Sequence, residues 1–339
     1  MISCGPTDRY ISFSGYAQGG TYTVKINLNG KNGMVGTPPV KIKESVDSIL
    51  NAIDNSLSGY NRNSTLSRFN NGESVIPDYI FSDIYERAYS LYEETDGIID
   101  VASAPLFDIW GFGFKSGELP SDAKVTAVME GCGMKLLKRD MLSSTAEDKT
   151  LNAKDLMKTA DGNLPKLNYN AIAQGYSCDM VAAYLYSIGV KDMMVDIGEI
   201  YCDGLNPNGM SWSLGIDKPA DGNNNPGEEL QGIFHAPDGP HGIVTSGNYR
   251  KYYIRDGRKY AHTIDPRTGR PVNHSLLSAT IVAPDATTAD AYATYCMVVG
   301  LEESKKLLTE NEQLEGCLIY DDNGTFATWC SEGFTLKSL

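Results

Sequence analysis

The densest chemistry in the chain lies in Ala261-His262-Thr263-Ile264-Asp265-Pro266-Arg267-Thr268-Gly269-Arg270-Pro271. Proline sets φ and glycine admits conformations other residues avoid, so Pro266 to Gly269 reads as a tight turn. A histidine titrates near neutral pH, so His262 is a candidate general base, or else a hydrogen-bond donor that orients a substrate. The plainer reading of the run is a polar surface loop. Asp290 and Thr294 stand four residues apart, on one face of an expected helix. A carboxylate, a hydroxyl and a backbone carbonyl are hard oxygen donors, which suit Mg²⁺ shared with substrate phosphates better than Zn²⁺. Otherwise Asp290 caps or solvates the helix and Thr294 packs.

Other runs could complete a site. Trp110-Gly111-Phe112-Gly113-Phe114 interleaves aromatic rings with bare backbone, which suits stacking on a planar ring or filling a core. Asn168-Tyr169-Asn170-Ala171-Ile172-Ala173-Gln174-Gly175-Tyr176 opens a helix whose free N–H groups offer a seat for phosphate. Gly19-Gly20 either brings backbone close to a ligand or makes a simple turn.

These residues must be positioned by ordinary elements. Val46, Ile49, Leu50, Ile53 and Leu57 repeat at helical spacing and stop at Gly59; Ile80, Ile84, Tyr85, Ala88, Leu91 and Tyr92 mark a second helix. Residues 172–188 and 287–299 read as further helices. Strands are expected over 16–26, 193–200, 212–217, 231–235, 242–245, 251–255 and 276–283. The run Asp322-Asn323-Gly324 joins the last two strands as a hairpin. Residues 60–70 and 100–114 read as loops, and 5–15 as a tether. Residues 115–165 carry no visible chemistry. With strands at both ends and helices between, the chain reads as one compact mixed α/β (α+β) unit of one or two lobes, with mixed sheets flanked by helices.

Composition narrows the function. The 339 residues are 41% hydrophobic, enough for a full core, with a net charge of −14 and a pI of about 4.7. An acidic chain does not hold nucleic acid through a general basic field, so phosphate would need a local device. No apolar run is long enough to span a bilayer. Of the cysteines, Cys132, Cys178, Cys202, Cys296, Cys317 and Cys330 fall mostly in apolar runs and read as buried thiols, and no CxxC pair is present. Cys4 stands apart. Met1-Ile2-Ser3-Cys4-Gly5 looks like the end of a lipoprotein cleavage site, or is a free cysteine near a frayed terminus.

Taken in order, eight runs resemble the FAD:protein FMN transferases, the ApbE-like family. They are Gly19-Gly20-Thr21; the Tyr60 to Asn70 segment; Asp100-Xaa5-Leu106 with Trp110-Gly111-Phe112-Gly113; Ile172-Ala173-Xaa-Gly175-Tyr176; and Val195-Asp196-Ile197-Gly198. Thr245-Ser246-Gly247-Xaa-Tyr249-Arg250, His262 to Gly269, and Ala289-Asp290-Ala291-Xaa-Ala293-Thr294 complete the set. The resemblance implies a T-fold-related domain over 16–339 that binds FAD with Mg²⁺. It implies transfer of FMN to a Ser or Thr hydroxyl of a flavoprotein, with release of AMP. It further implies an exported, lipid-anchored protein of the bacterial cell envelope, facing the periplasm through an anchor at Cys4. By position, the Ala171 carbonyl, Asp290 and Thr294 would hold the metal. Gly19, Tyr60, Trp110, Gly111, Phe112, Gly113, Gln174, Asp196, Ser246, Gly247, His262 and Thr263 would line the FAD site. The chain departs from the family pattern at Asn168, where an acid is common, at Gln174, where Lys or Glu is common, and at Gly19, where Met is common. The same site with water as acceptor would be an FAD pyrophosphatase. Without catalysis, it would be an FAD-binding envelope protein.

Overall fold

A computed structural model describes residues 9–112, 119–139, 150–159, 163–220, 223, 227–248, 252–255 and 258–339. The chain opens with a hairpin, β1 (Tyr10–Ala17) and β2 (Gly20–Asn27), paired without a break from Tyr10↔Asn27 to Ala17↔Gly20. The tether expected over 5–15 therefore gives way to a strand from Tyr10. Ile11, Phe13 and Ala17 turn toward the core while Ser12 and Ser14 face out, a period of two concealed by small polar residues. Two-residue strands β3 (Asn29–Gly30) and β4 (Gly33–Met34) follow.

Helix α1 (Pro39–Leu57) starts with proline in its first turn and buries Ile42, Val46, Leu50, Ile53 and Leu57. The segment read as a loop over 60–70 contains a helix, α2 (Thr65–Asn70). Ser64 caps it by accepting from Ser67 N–H at 2.9 Å, and Leu66 and Phe69 are buried beneath it. Next come α3 (Tyr79–Glu94), α4 (Ala104–Ile109) and α5 (Asp122–Glu130), then α6 (Ala173–Ser187). Helix α4 lies within the other expected loop, 100–114, after a single 3₁₀ turn at Val101–Ser103.

Strands β5 (Met193–Asp196) and β6 (Ile200–Asp203) form a hairpin, where one strand was expected over 193–200. Strands β7 (Ser213–Asp217), β8 (Leu230–His235) and β9 (His241–Gly247) follow. Then come two small ribbons: β10 (Tyr252–Arg255) with β11 (Arg258–Ala261), and β12 (Ile264–Asp265) with β13 (Arg270–Pro271). The chain closes with β14 (Leu276–Ala283), α7 (Ala286–Val299), α8 (Leu301–Glu310), β15 (Glu315–Asp322), β16 (Thr325–Cys330) and β17 (Leu336–Lys337). Asn323 and Gly324 both take positive φ in the β15–β16 turn, as the sequence there expects.

The main sheet has eight strands in the order β1-β2-β5-β6-β9-β14-β15-β16, and the paired strands among the described residues are antiparallel. Helices α1, α6, α7 and α8 cover one face. The other face packs against the three-stranded sheet β17-β8-β7 through Met194, Ile243, Val282 and Ile319, with Trp212 and Phe234 opposite. A second apolar cluster surrounds α3 and reaches Tyr169 and Ile172 at the start of α6. A small satellite cluster of Leu106, Trp110, Val125, Cys132 and Ile264 lies under the His262 segment. No helix among the described residues is long and apolar enough to cross a membrane.

Candidate active site

The cleft lies where the segments around α3 meet the end of the main sheet. Its inner chamber, about 130 Å³, is lined by Ile98, Asp100, Ser103, Phe107, Asn168 and Ala171, and by Thr294 and Met297 of α7. Ser246 and Gly247 of β9, with His262, Thr263 and Pro266, complete the lining. Phe107, Asn168 and Asn170 also line an outer chamber of about 690 Å³, so the two adjoin. The outer chamber brings in Tyr60, Arg62, Asn70, Phe112 and Lys166, and is within the roughly 300–1,000 Å³ usual for small-molecule sites.

Each part of the lining is fixed locally. His262 follows β11 at the head of the tight turn. Thr263 donates to Asn248 Oδ1 at 2.6 Å, with both residues buried, which pins this strand beside the end of β9. Asp265 takes the Arg267 backbone N–H at 2.9 Å and the guanidinium at 3.0 and 2.9 Å. Gly269 N–H donates to the Asp265 carbonyl at 2.8 Å, with Gly269 at φ +67°. Asp265 and Arg267 are thus occupied in closing the turn, while His262, Thr263, Ile264 and Pro266 line the chamber, His262 being the titratable one among them.

The α7 part of the lining depends on a helix crossing. A Cβ on Gly175 would sit 2.2 Å from the Ala286 carbonyl oxygen, so only glycine lets α6 lie this close to α7. The closeness lets Gly175 N–H donate to Asp290 at 3.1 Å. Asp290 is 4% exposed, and burial pushes its carboxyl up to about 7; Gly175 N–H opposes that shift and the neighbouring Asp179 adds to it. Asp179 accepts from Ala286 and Thr287 N–H at 2.8 Å each, capping α7 from outside, and burial pushes it up to about 6. Thr294, one turn after Asp290, reaches the inner chamber, as does Ala171 just before α6.

Asp100 was not among the expected site residues, although it heads a quoted motif. Burial raises its carboxyl to about 6, against N–H donors from Met134 at 3.0 Å and Ala102 at 2.9 Å. Asn70 was also missed. It clamps Leu167 in both directions at 2.8 Å, ordering the approach to Asn168. Arg62 and Lys166 bring two cations to the outer chamber, with Lys166 3.7 Å from Asp108, which lines it as well. The only available signal for them was their place inside or beside the quoted runs.

The remaining expected residues divide. Ser246, Gly247, His262, Thr263, Ala171 and Thr294 come together in the inner chamber, and Tyr60 and Phe112 in the outer. Trp110 lines a separate cavity with Tyr260 and Pro271; its ring stacks on Tyr260 and its N–H donates to the Gly269 carbonyl at 2.7 Å. Gly111 ends α4 at φ +81°, with Phe112 N–H returning to the Phe107 carbonyl at 2.9 Å, a Schellman turn. Gln174 donates to the Ile197 carbonyl at 3.0 Å, Asp196 accepts from Gly198 N–H at 3.1 Å, and Gly19 sits exposed at the β1–β2 tip. None of these three lines either chamber. Gly113 and Cys4 fall outside the described residues.

The donor set fits a hard cation. A buried carboxylate raised by desolvation is relieved by a positive charge beside it. Thr294 and Ala171 line the inner chamber and Asp290 does not; the Thr294 hydroxyl and the Ala171 carbonyl are the hard donors those two residues carry. No cluster of three or more His, Cys, Asp or Glu suited to a metal occurs among the described residues.

Comparison with known proteins gives the same grouping. Residues 19–318 match the ApbE family. The chain is 32% identical over 302 residues to the FAD:protein FMN transferase of Escherichia coli K12, covering 87% of this chain and 81% of that one. It is 32% identical over 342 residues to the Vibrio cholerae protein of the same name, covering 98% and 94%. Among solved structures, the flavin transferase ApbE from Vibrio cholerae superposes with a TM-score of 0.75 at 31% identity, covering 96% and 98% of the two chains. The apo form of the Pseudomonas stutzeri flavinyl transferase ApbE gives 0.78 at 29%, covering 96% and 95%. The chain belongs to the ApbE family.

Proposed function

We propose that this protein transfers FMN from FAD to a Ser or Thr hydroxyl of a target flavoprotein and releases AMP. The observation that carries the reading is the inner chamber: His262 and Thr294 both line it, with buried Asp290 a helical turn before Thr294, and it adjoins a larger chamber lined by Tyr60, Arg62 and Lys166. The relatives named FAD:protein FMN transferase support the same chemistry.

The reaction forms a bond from the acceptor oxygen to the FMN phosphorus and breaks the bond to the AMP oxygen. Positioning and charge stabilisation dominate such transfers. His262 would take the acceptor hydroxyl proton, which is worth about a hundred- to ten-thousandfold. The apolar inner wall, with Ile98, Phe107 and Met297, keeps competing water from the reacting phosphorus. Asp290, Thr294 and the Ala171 carbonyl would hold Mg²⁺, which when bound supplies charge neutralisation at the diphosphate. Placement in the envelope through a lipid on Cys4 rests on the Met1 to Gly5 run alone.

The test incubates the protein with FAD, Mg²⁺ and a Thr-containing flavoprotein fragment, and reads peptide mass and AMP. A peptide heavier by one FMN, with AMP released only when acceptor is present, is expected. Equal AMP release without acceptor would instead make the protein a pyrophosphatase. Stable FAD binding with no AMP would leave it a carrier.

A further inference from the structure

Two thiols far from the cleft face one another across the sheet edge. Cys317 on β15 and Cys330 on β16 are direct register partners. Their neighbours Gly316 and Ser331 share a ladder hydrogen bond, Ser331 N–H to the Gly316 carbonyl at 2.9 Å. Hydrogen-bonded and non-hydrogen-bonded pairs alternate along an antiparallel ladder, which makes Cys317 and Cys330 a non-hydrogen-bonded pair, the kind with Cα atoms about 4.5 Å apart. That lies inside the roughly 4.4–6.8 Å span of disulfides, at its short end. Both side chains sit on the face that packs against β7 and β8, in one apolar cluster. Cys317 is buried and Cys330 is half-buried at the open edge of the sheet. The other described cysteines, Cys132, Cys178, Cys202 and Cys296, are buried.

We propose that Cys317 and Cys330 are an oxidative modification site, closed reversibly into a cross-strand disulfide by exchange with a disulfide-bearing oxidant. Cys330, the exposed member, attacks one sulfur of the oxidant as thiolate and expels the other as a thiol, giving a mixed disulfide. Cys317 then gives up its proton and attacks Cys330 Sγ, and the second oxidant thiol leaves. Two protein thiols are oxidised, one oxidant disulfide is reduced, and the two protons end on the departing thiols. The chemistry of the pair suits this order: the closeness of the two thiols lowers the Cys330 thiol and raises that of Cys317, which burial raises further. Burial raises Cys132 to about 11 and Cys202 and Cys296 to about 12, which keeps them out of exchange. At the sheet edge, the half-buried Cys330 sulfur leaves the bond open to a reducing thiol.

The experiment equilibrates the reduced full chain in buffers of glutathione and glutathione disulfide, quenches with acid, and maps peptides by mass. A single bridge between the Cys317 and Cys330 peptides is expected, reversed by dithiothreitol. Maleimide labelling of native Cys330 should fall by about tenfold or more on oxidation. In Cys317→Ser, Cys330 should stop at the glutathione adduct, and Cys330→Ser should show neither bridge nor adduct. A lasting glutathione adduct on wild-type Cys330, a bridge to any other cysteine, or no bridge in the most oxidising buffer would overturn the proposal, and the wild-type map decides this even if a variant fails to fold.

Discussion

The α6–α7 crossing and the His262 segment look into the same chamber but are held there by different physics. The crossing is core: Ala286, Ala289, Ala291 and Ala293 are fully buried, and Gly175 brings two backbones into contact. Two carboxylates, Asp179 and Asp290, tie the helices through backbone N–H groups. The His262 segment is two small ribbons held by turn hydrogen bonds over a five-residue apolar cluster. On the proposed reading, the charge that must not relax would sit on the rigid element, and the group that would pass a proton on the one that can adjust.

The sharpest break in that comparison is Asp290→Ala. It should lower FMN transfer by about a hundredfold or more, read as acceptor-dependent AMP release, because several kcal/mol of charge stabilisation depend on that carboxylate. Full activity in this variant would remove the crossing from the chemistry. His262→Ala should cost about tenfold or more in transfer while FAD affinity, measured by fluorescence titration, holds. Parallel loss of both would make His262 a binding group.

Gly175→Ala forces a methyl into the Ala286 carbonyl and should destabilise the fold by about 1–3 kcal/mol in urea unfolding. A neutral result would mean that the helices separate freely. Asp290 also carries a pH signature in metal-free protein. Its folded carboxyl is raised from 3.8 to about 7, so the folded state keeps a proton that the unfolded chain releases. The stability from that proton is complete below the unfolded value and is lost as pH rises through the folded one. Asp290→Asn should therefore gain on wild type between about pH 4 and about pH 7, and a constant difference would contradict the burial argument. The smallest effect is expected in the apolar cluster under the His262 segment. Trp110→Phe keeps a ring but drops the bond to the Gly269 carbonyl, costing about 1 kcal/mol of stability and slowing transfer only a few fold.

Much of the framework was legible because it is local. The helical repeats in 46–57 and 80–92 and the Asn323-Gly324 turn need no distant partner to be recognised. Failures came where a distant surface supplies the reason. Strand β1 is a strand because β2 lies beside it, residue for residue. Helix α2 is six residues long and would not stand alone; Phe69 packs on Phe81, and Asn70 is clamped to Leu167.

The sequence by itself determined the order of the motifs, the turn chemistry of 265–269, and the presence of a carboxylate and a hydroxyl one helical turn apart, since each depends on spacing of a few residues. Tertiary structure alone decided which of them share a chamber. It brought His262 and Thr294 to one chamber from different elements, turned Trp110 toward Gly269, and buried Asp290 by a crossing that only Gly175 permits. Burial and close approach arise from what packs across the fold, which no local run of residues specifies.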